Sequence, residues 1–111
     1  MPFPIVTDEQ FAELKAKEPT AFKLSYVHPD SGESFGDLVF RKPMRAEVQR
    51  FKEYAKAGKD TSFIARSCLL SPSLQEWDAI TAQELSGIPE TAENDLLKSS
   101  GVLAEQSLGK R

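Results

Sequence analysis

Nucleophilic catalysis needs a nucleophile, a base and a group that orients them, and this 111-residue chain has one histidine, His28, and one cysteine, Cys68, to offer. His28 opens the run His28-Pro29-Asp30-Ser31-Gly32, whose composition is that of a turn. Cys68 sits in the most apolar stretch of the chain, Phe63-Ile64-Ala65-Arg66-Ser67-Cys68-Leu69-Leu70, where burial raises a thiol's pKa and blocks access to it. One histidine and one cysteine cannot fill a zinc shell, and no D-x-D-x-D-G loop is present for calcium. The six glycines are scattered singly, in neither a dinucleotide fingerprint nor a P-loop. The expectation is a protein without catalytic residues, metal or cofactor.

What remains is binding, and the charge pattern points to where. The net charge is −3. Residues 1–40 carry 3 basic and 7 acidic side chains, residues 41–59 carry 7 and 2, and residues 60–111 carry 4 and 8. A basic island between acidic flanks either attracts an acidic partner or is neutralised by its own neighbours, and neutralisation by the flanks is the expectation. On a helix, Arg45, Lys52, Lys56 and Lys59 fall on one face about a quarter turn from the apolar stripe, while Arg50 points elsewhere and Glu47 and Glu53 dilute the charge. No aromatic residue interleaves with that face and the pI is near 5.2, which together argue against nucleic acid.

The elements that must position these residues follow from periodicity. Thr7-Asp8-Glu9-Gln10 reads as a capping box with Val6 and Phe11 at the staple positions, predicting a helix from Asp8 to Lys17 that buries Phe11 and Leu14 and stops at Pro19. Ala21–Val27 alternates with Phe22, Leu24 and Tyr26 on one face, and Phe35–Arg41 repeats the pattern with Leu38 and Phe40. With a turn around Gly32 between them, they predict a β-hairpin. From Pro43 the period becomes helical, with Met44, Val48, Phe51 and Ala55 on one narrow face and Gly58 as terminator. A second, nearly all-apolar helix is predicted over Thr61–Leu70. The Ser71-Pro72-Ser73 break restarts the chain, capped either by Ser71 with Pro72 at the first helical position or by Ser73 with Glu76. Leu74, Trp77, Thr81 and Leu85 share the next stripe. Gly87 closes that helix, Pro89 opens the last, and Ala92, Leu96 and Leu97 form its apolar side before Gly101.

The order is helix, hairpin, then a bundle of about four short α-helices: an α+β fold. Its length suits one domain, residues 1–101, with residues 102–111 expected to fray as a tail with little to bury. A two-stranded hairpin is marginal in water, so it must pack on the helices or be extended by a second copy through its edge. No basic leader or membrane-length apolar run is present, and a single cysteine excludes an internal disulfide, so a cytoplasmic protein with no membrane partner is expected.

The run Leu38-Val39-Phe40-Arg41-Lys42-Pro43-Met44-Arg45-Ala46-Glu47-Val48-Gln49-Arg50-Phe51 resembles the central motif of phage tail assembly chaperones: a strand ending in arginine, a proline, an Arg-Ala-Glu triplet, and an aromatic residue in the helix. The similarity continues through Cys68-Leu69-Leu70, Ser71-Pro72 and Gly87-Ile88-Pro89, covering about residues 35–101. Where this family often has a capping threonine, the chain has Met44, which implies a helix start weaker by roughly 1 kcal/mol unless Pro43 opens the helix instead. The resemblance implies a non-catalytic protein that coats the long, apolar tape measure protein during tail assembly. It also implies a possible second partner, a longer form of the same chain made by ribosomal frameshifting near Leu108-Gly109-Lys110. The candidate contact residues are then Phe51 and Trp77, beside Arg45, Lys52 and Lys56. The rival expectation is another protein-interaction module, an adaptor or inhibitor that uses the hairpin edge to add a strand.

Overall fold

The computed structural model describes residues 3–83 and 87–101, and the expected α+β order is present. Helix α1 (Asp8–Lys17) begins where the capping box places it: Gln10 N donates to Thr7 Oγ1 at 3.2 Å and Thr7 N to Gln10 Oε1 at 3.0 Å. The hairpin pairs β1 (Phe22–Val27) with β2 (Ser34–Phe40) in antiparallel register, Phe22 opposite Phe40 and Leu24 opposite Leu38. Gly32 takes φ +73 in the turn, the conformation for which glycine is suited.

The sheet has a third member that helical periodicity did not predict. The second apolar helix is shorter than expected, running over Phe63–Cys68 (here α3), and Leu69–Ser71 leaves it as strand β3 against β2, Val39 opposite Ser71 and Phe40 opposite Leu69. The physical reason lies in the two adjacent leucines. A helix sets neighbours about 100° apart, whereas a strand sends them to opposite faces. As a strand, Leu69 packs on the main core and Leu70 on a second cluster behind the sheet.

The chain's start uses the same side of β2. Phe3 N donates to the Phe35 carbonyl at 3.0 Å and Asp37 N to the Pro4 carbonyl at 3.2 Å, so Phe3–Pro4 and β3 lie along one edge of β2, end to end. Asp37 fixes this arrangement with both carboxylate oxygens, accepting from Val6 N at 2.8 Å and Ser25 Oγ at 2.7 Å. Gly36, at φ +97, permits it: a Cβ there would collide with the Phe3 backbone.

Helix α2 (Arg45–Ala57) follows the sheet and ends at Gly58 in the left-handed conformation. Helices α4 (Leu74–Gln83) and α5 (Ile88–Ser99) complete the order. Of the two starts open for α4, the structure takes Ser73, whose Oγ accepts from Glu76 N at 3.2 Å; Ser71 is in β3. Gly87 stands as the N-cap of α5, with Pro89 in its first turn. The expected place of Leu85 on the α4 stripe, and the expected tail 102–111, lie outside the described residues.

Side chains from Phe3, Phe40, Leu38, Ile64, Trp77 and Leu96 fill the main core between the sheet and helices α3 to α5. Phe3 stacks on Trp77 with centroids 6.1 Å apart, and Phe40 meets the same indole edge-on at 6.0 Å. Val6, Ala21 and Val39 form the second cluster, closed by Phe11 and Leu14 of α1 and by Leu70. The sheet is thus covered on both faces, which resolves the marginal stability of a bare hairpin. Tyr26 ties β1 to α5 through a 2.6 Å hydrogen bond to Asp95; burial, and then that carboxylate, push its phenol pKa above the ordinary range.

Candidate partner-binding groove

The site grows from the turn between β2 and α2. Arg41 follows the last residue of β2, and its guanidinium forks onto Glu47, with Nη1 to Oε1 at 2.7 Å and Nη2 to Oε2 at 2.8 Å. Nη2 also donates to the Ser67 carbonyl at 3.0 Å. Both side chains are mostly covered, 18% and 16% exposed. Glu47 accepts a further hydrogen bond from Met44 N at 2.8 Å. The Arg41 hydrogen bonds hold the Glu47 carboxyl below its ordinary pKa against the opposing effect of burial, and the Met44 amide adds to them. Arg41 is held above its own ordinary value by the same pair.

This explains how α2 starts without a hydroxyl cap. Met44 is the N-cap residue and no side-chain cap hydrogen bond reaches its helix. Pro43 does not open the helix, which begins at Arg45. Glu47 performs the reverse half of a capping box, and Arg41 anchors that glutamate from the strand.

The inward face of α2 departs from the expected stripe. Met44, outside the helix, is 61% exposed, and Ala55 is exposed too. Val48, Phe51 and Tyr54 are its half-buried apolar residues, Phe51 against the main core and Tyr54 edge-on to Phe63 at 5.1 Å. No residue of α2 is fully buried, so the helix rides on the surface of the fold.

Arg45, Gln49, Lys52 and Lys56 form its outer stripe at i, i+4, i+7 and i+11, all exposed. Among the described residues the ion pairs are Arg41–Glu47 and Arg66–Asp78. Among the described residues the acidic flanks form no ion pair with the island, against expectation: the island's ion-paired cation there, Arg41, uses a glutamate from inside the island. Arg50 and Lys59 lie over the rings of Phe63 and Tyr54, at 5.6 and 5.5 Å from the centroids, which removes Lys59 from the expected stripe. Arg45, Lys52 and Lys56 are left without an ion-pair partner among the described residues.

Arg45 and Lys52 line a groove of about 830 Å³ with Lys42, Pro43, Val48, Gln49 and the end of α5, Ser99 to Gly101. Among the described residues its walls carry three cations and no carboxylate. A smaller hollow of about 320 Å³ lies between Pro4–Val6, α1 and Leu70–Ser71, with Glu13 and Lys17 both on its wall. The larger groove is the better candidate because it gathers uncompensated charge of one sign.

Five candidate contact residues separate into three groups. Arg45 and Lys52 share the groove, and Lys56 continues their stripe one turn on. Phe51 faces the core from the opposite side of α2. Trp77 is 2% exposed between Phe3 and Phe40, so its expected role as a contact residue is corrected: it cannot meet a partner unless the core opens. Lys42, Val48 and the α5 terminus were missed, since a sequence pattern does not reveal which distant segment forms the second wall.

His28 and Cys68 belong to opposite ends of β2. The His28 backbone pairs with Glu33 beside the turn, whereas the Cys68 carbonyl accepts from Arg41 N after the strand's last residue. The six-residue step from Ser34 to Phe40 is roughly 20 Å of strand, too far for a nucleophile and its base. Cys68 is buried, and burial, with a smaller push from the Glu47 charge, raises its thiol to about 12. No helix among the described residues is long and apolar enough to cross a membrane.

The chain matches no protein-family model, no curated protein and no solved structure.

Proposed function

We propose that this protein is a non-catalytic phage tail assembly chaperone that binds the tape measure protein in the host cytoplasm and keeps it from aggregating while the tail is built. The observation that carries the reading is the continuous run from Leu38 to Phe51, in which a strand ends in Arg41, Pro43 turns the chain, and Arg45-Ala46-Glu47 opens α2. Arg41 forks onto Glu47, so two of the motif's charged residues serve each other and set the departure of α2, while the third, Arg45, faces outward. A charged outer stripe on a surface helix, beside a groove whose lining includes Val48 and Pro43, suits a partner that must be held and later released. Many moderate contacts achieve that better than one deep pocket.

In this reading the tape measure protein lies along α2, Arg45 and Lys52 engage it directly, and Lys56 extends the contact. A frameshifted longer form of the chain would carry the same groove. The test is co-expression with the tape measure protein encoded beside this chain: the partner is recovered in the soluble fraction with the chain and in the pellet without it. Equal insolubility in both cases removes the reading.

A second reading rests on β1, which stands at the edge of the sheet. Its outer side is a surface for strand addition by an identical copy, giving a homo-oligomer, or by the target of an adaptor.

A further inference from the structure

We infer that the groove between α2 and the end of α5 recognises an acidic amphipathic helix, with Arg45 and Lys52 pairing to its carboxylates and Val48 and Pro43 receiving its apolar residues. The inference deepens the proposed function and rests on it for the biological partner, but its chemistry is independently testable.

Charge complementarity selects the occupant. Lys42, Arg45 and Lys52 line the groove, none of them in an ion pair among the described residues. Of the two glutamates of α2, Glu47 is committed to Arg41 and the Met44 amide, and Glu53 is exposed and is not among the residues that line the groove. The C-terminal end of α5 contributes negative potential at the far wall, equivalent to roughly half a charge. Three full cations outweigh it, so the groove is net attractive to an anion.

Shape and composition select a helix over a nucleic acid. The stripe from Arg45 to Lys56 covers roughly 17 Å of α2, about three turns of a facing helix. Glutamates about seven and then four residues apart on one face of that helix would meet Arg45, Lys52 and Lys56 in succession. Apolar contact comes from Val48 and Pro43, which line the groove. Among the described residues no aromatic side chain lines the groove to stack on bases.

Three probes test this on the full chain: a synthetic helix of about 16 residues with a glutamate row beside a leucine row, the same helix with lysine for glutamate, and a DNA duplex. The acidic helix is expected to bind, to shift the backbone amide resonances of Arg45, Val48, Lys52 and Gly101, and to weaken about tenfold between low and high salt. The double substitution Arg45→Glu, Lys52→Glu should weaken it at least ~10-fold with an unchanged thermal midpoint, because both side chains are exposed. Equal binding of the lysine helix, shifts confined to other surfaces, or preferential binding of the duplex would overturn the inference. So would binding seen only after deletion of residues 102–111, which would make the chain's own terminal segment the occupant. If the acidic helix binds here while the tape measure protein stays insoluble, the groove chemistry stands and the chaperone reading fails; a soluble tape measure protein with a silent groove gives the converse.

Discussion

Glu47 is the residue on which the geometry of the candidate site turns. It receives Arg41 in a two-pronged ion pair and the Met44 amide as well. Substituting Glu47→Gln should lower unfolding stability by about 1–2 kcal/mol at pH 7, between the worth of an exposed pair and that of a charged hydrogen bond. Because the folded-state pKa of Glu47 lies below its ordinary 4.5, that stabilisation is complete above pH 4.5 and is lost as pH falls through the depressed value. Urea titrations of wild type and variant should therefore differ at pH 7 and converge in strong acid; a constant difference would mean that the charge is not what matters. Cys68 gives a second check at this scale. With its thiol raised to about 12, it should react with a disulfide reagent at pH 8 only as fast as the protein unfolds, and rapid labelling of the native chain would show the site to be open.

Among the elements, α2 is the one the chain could hold more firmly. Met44 occupies the N-cap with its side chain in solvent, so Met44→Thr should add the missing acceptor and raise stability by about 1 kcal/mol, measured as an upward shift of the thermal midpoint. A fall would mean that Met44 packs against something essential. In the sheet, Gly36→Ala should cost several kcal/mol, on the order of 2–4, since it combines a positive φ with a collision against Phe3. Local signals were legible wherever an element is specified by its own residues: the Thr7–Gln10 box, the alternation of β1, Gly58, and the apolar side of α5. They failed at Leu69–Ser71, because a run of apolar residues is compatible with helix or strand until two separate cores demand opposite faces. They also failed for Phe3, whose place against Trp77 depends on an approach to β2 that only Gly36 reveals.

At the scale of the whole molecule, a sheet covered on both faces frees α2 from any duty in the deep core and leaves its basic stripe outward. The stripe was legible from helical spacing, and its cations Arg45, Lys52 and Lys56 lie where that spacing predicts. The expected aromatic contacts were not legible, since the inward and outward sides of a helix read alike until its neighbours are known: Trp77 proved to be core, and Phe51 half-buried against it. The missed groove wall, at Ser99 to Gly101, is separated from α2 by more than forty residues of sequence, beyond any local pattern. The central claim, that this fold holds a tape measure protein through the α2 groove, is tested most directly by co-expressing that protein with the wild-type chain and with the Arg45→Glu, Lys52→Glu variant, then measuring the fraction soluble. A soluble tape measure protein is expected with the wild-type chain, and its return to the pellet with an equally folded variant. A tape measure protein that remains insoluble alongside the wild-type chain, or equally soluble alongside both, would contradict that claim.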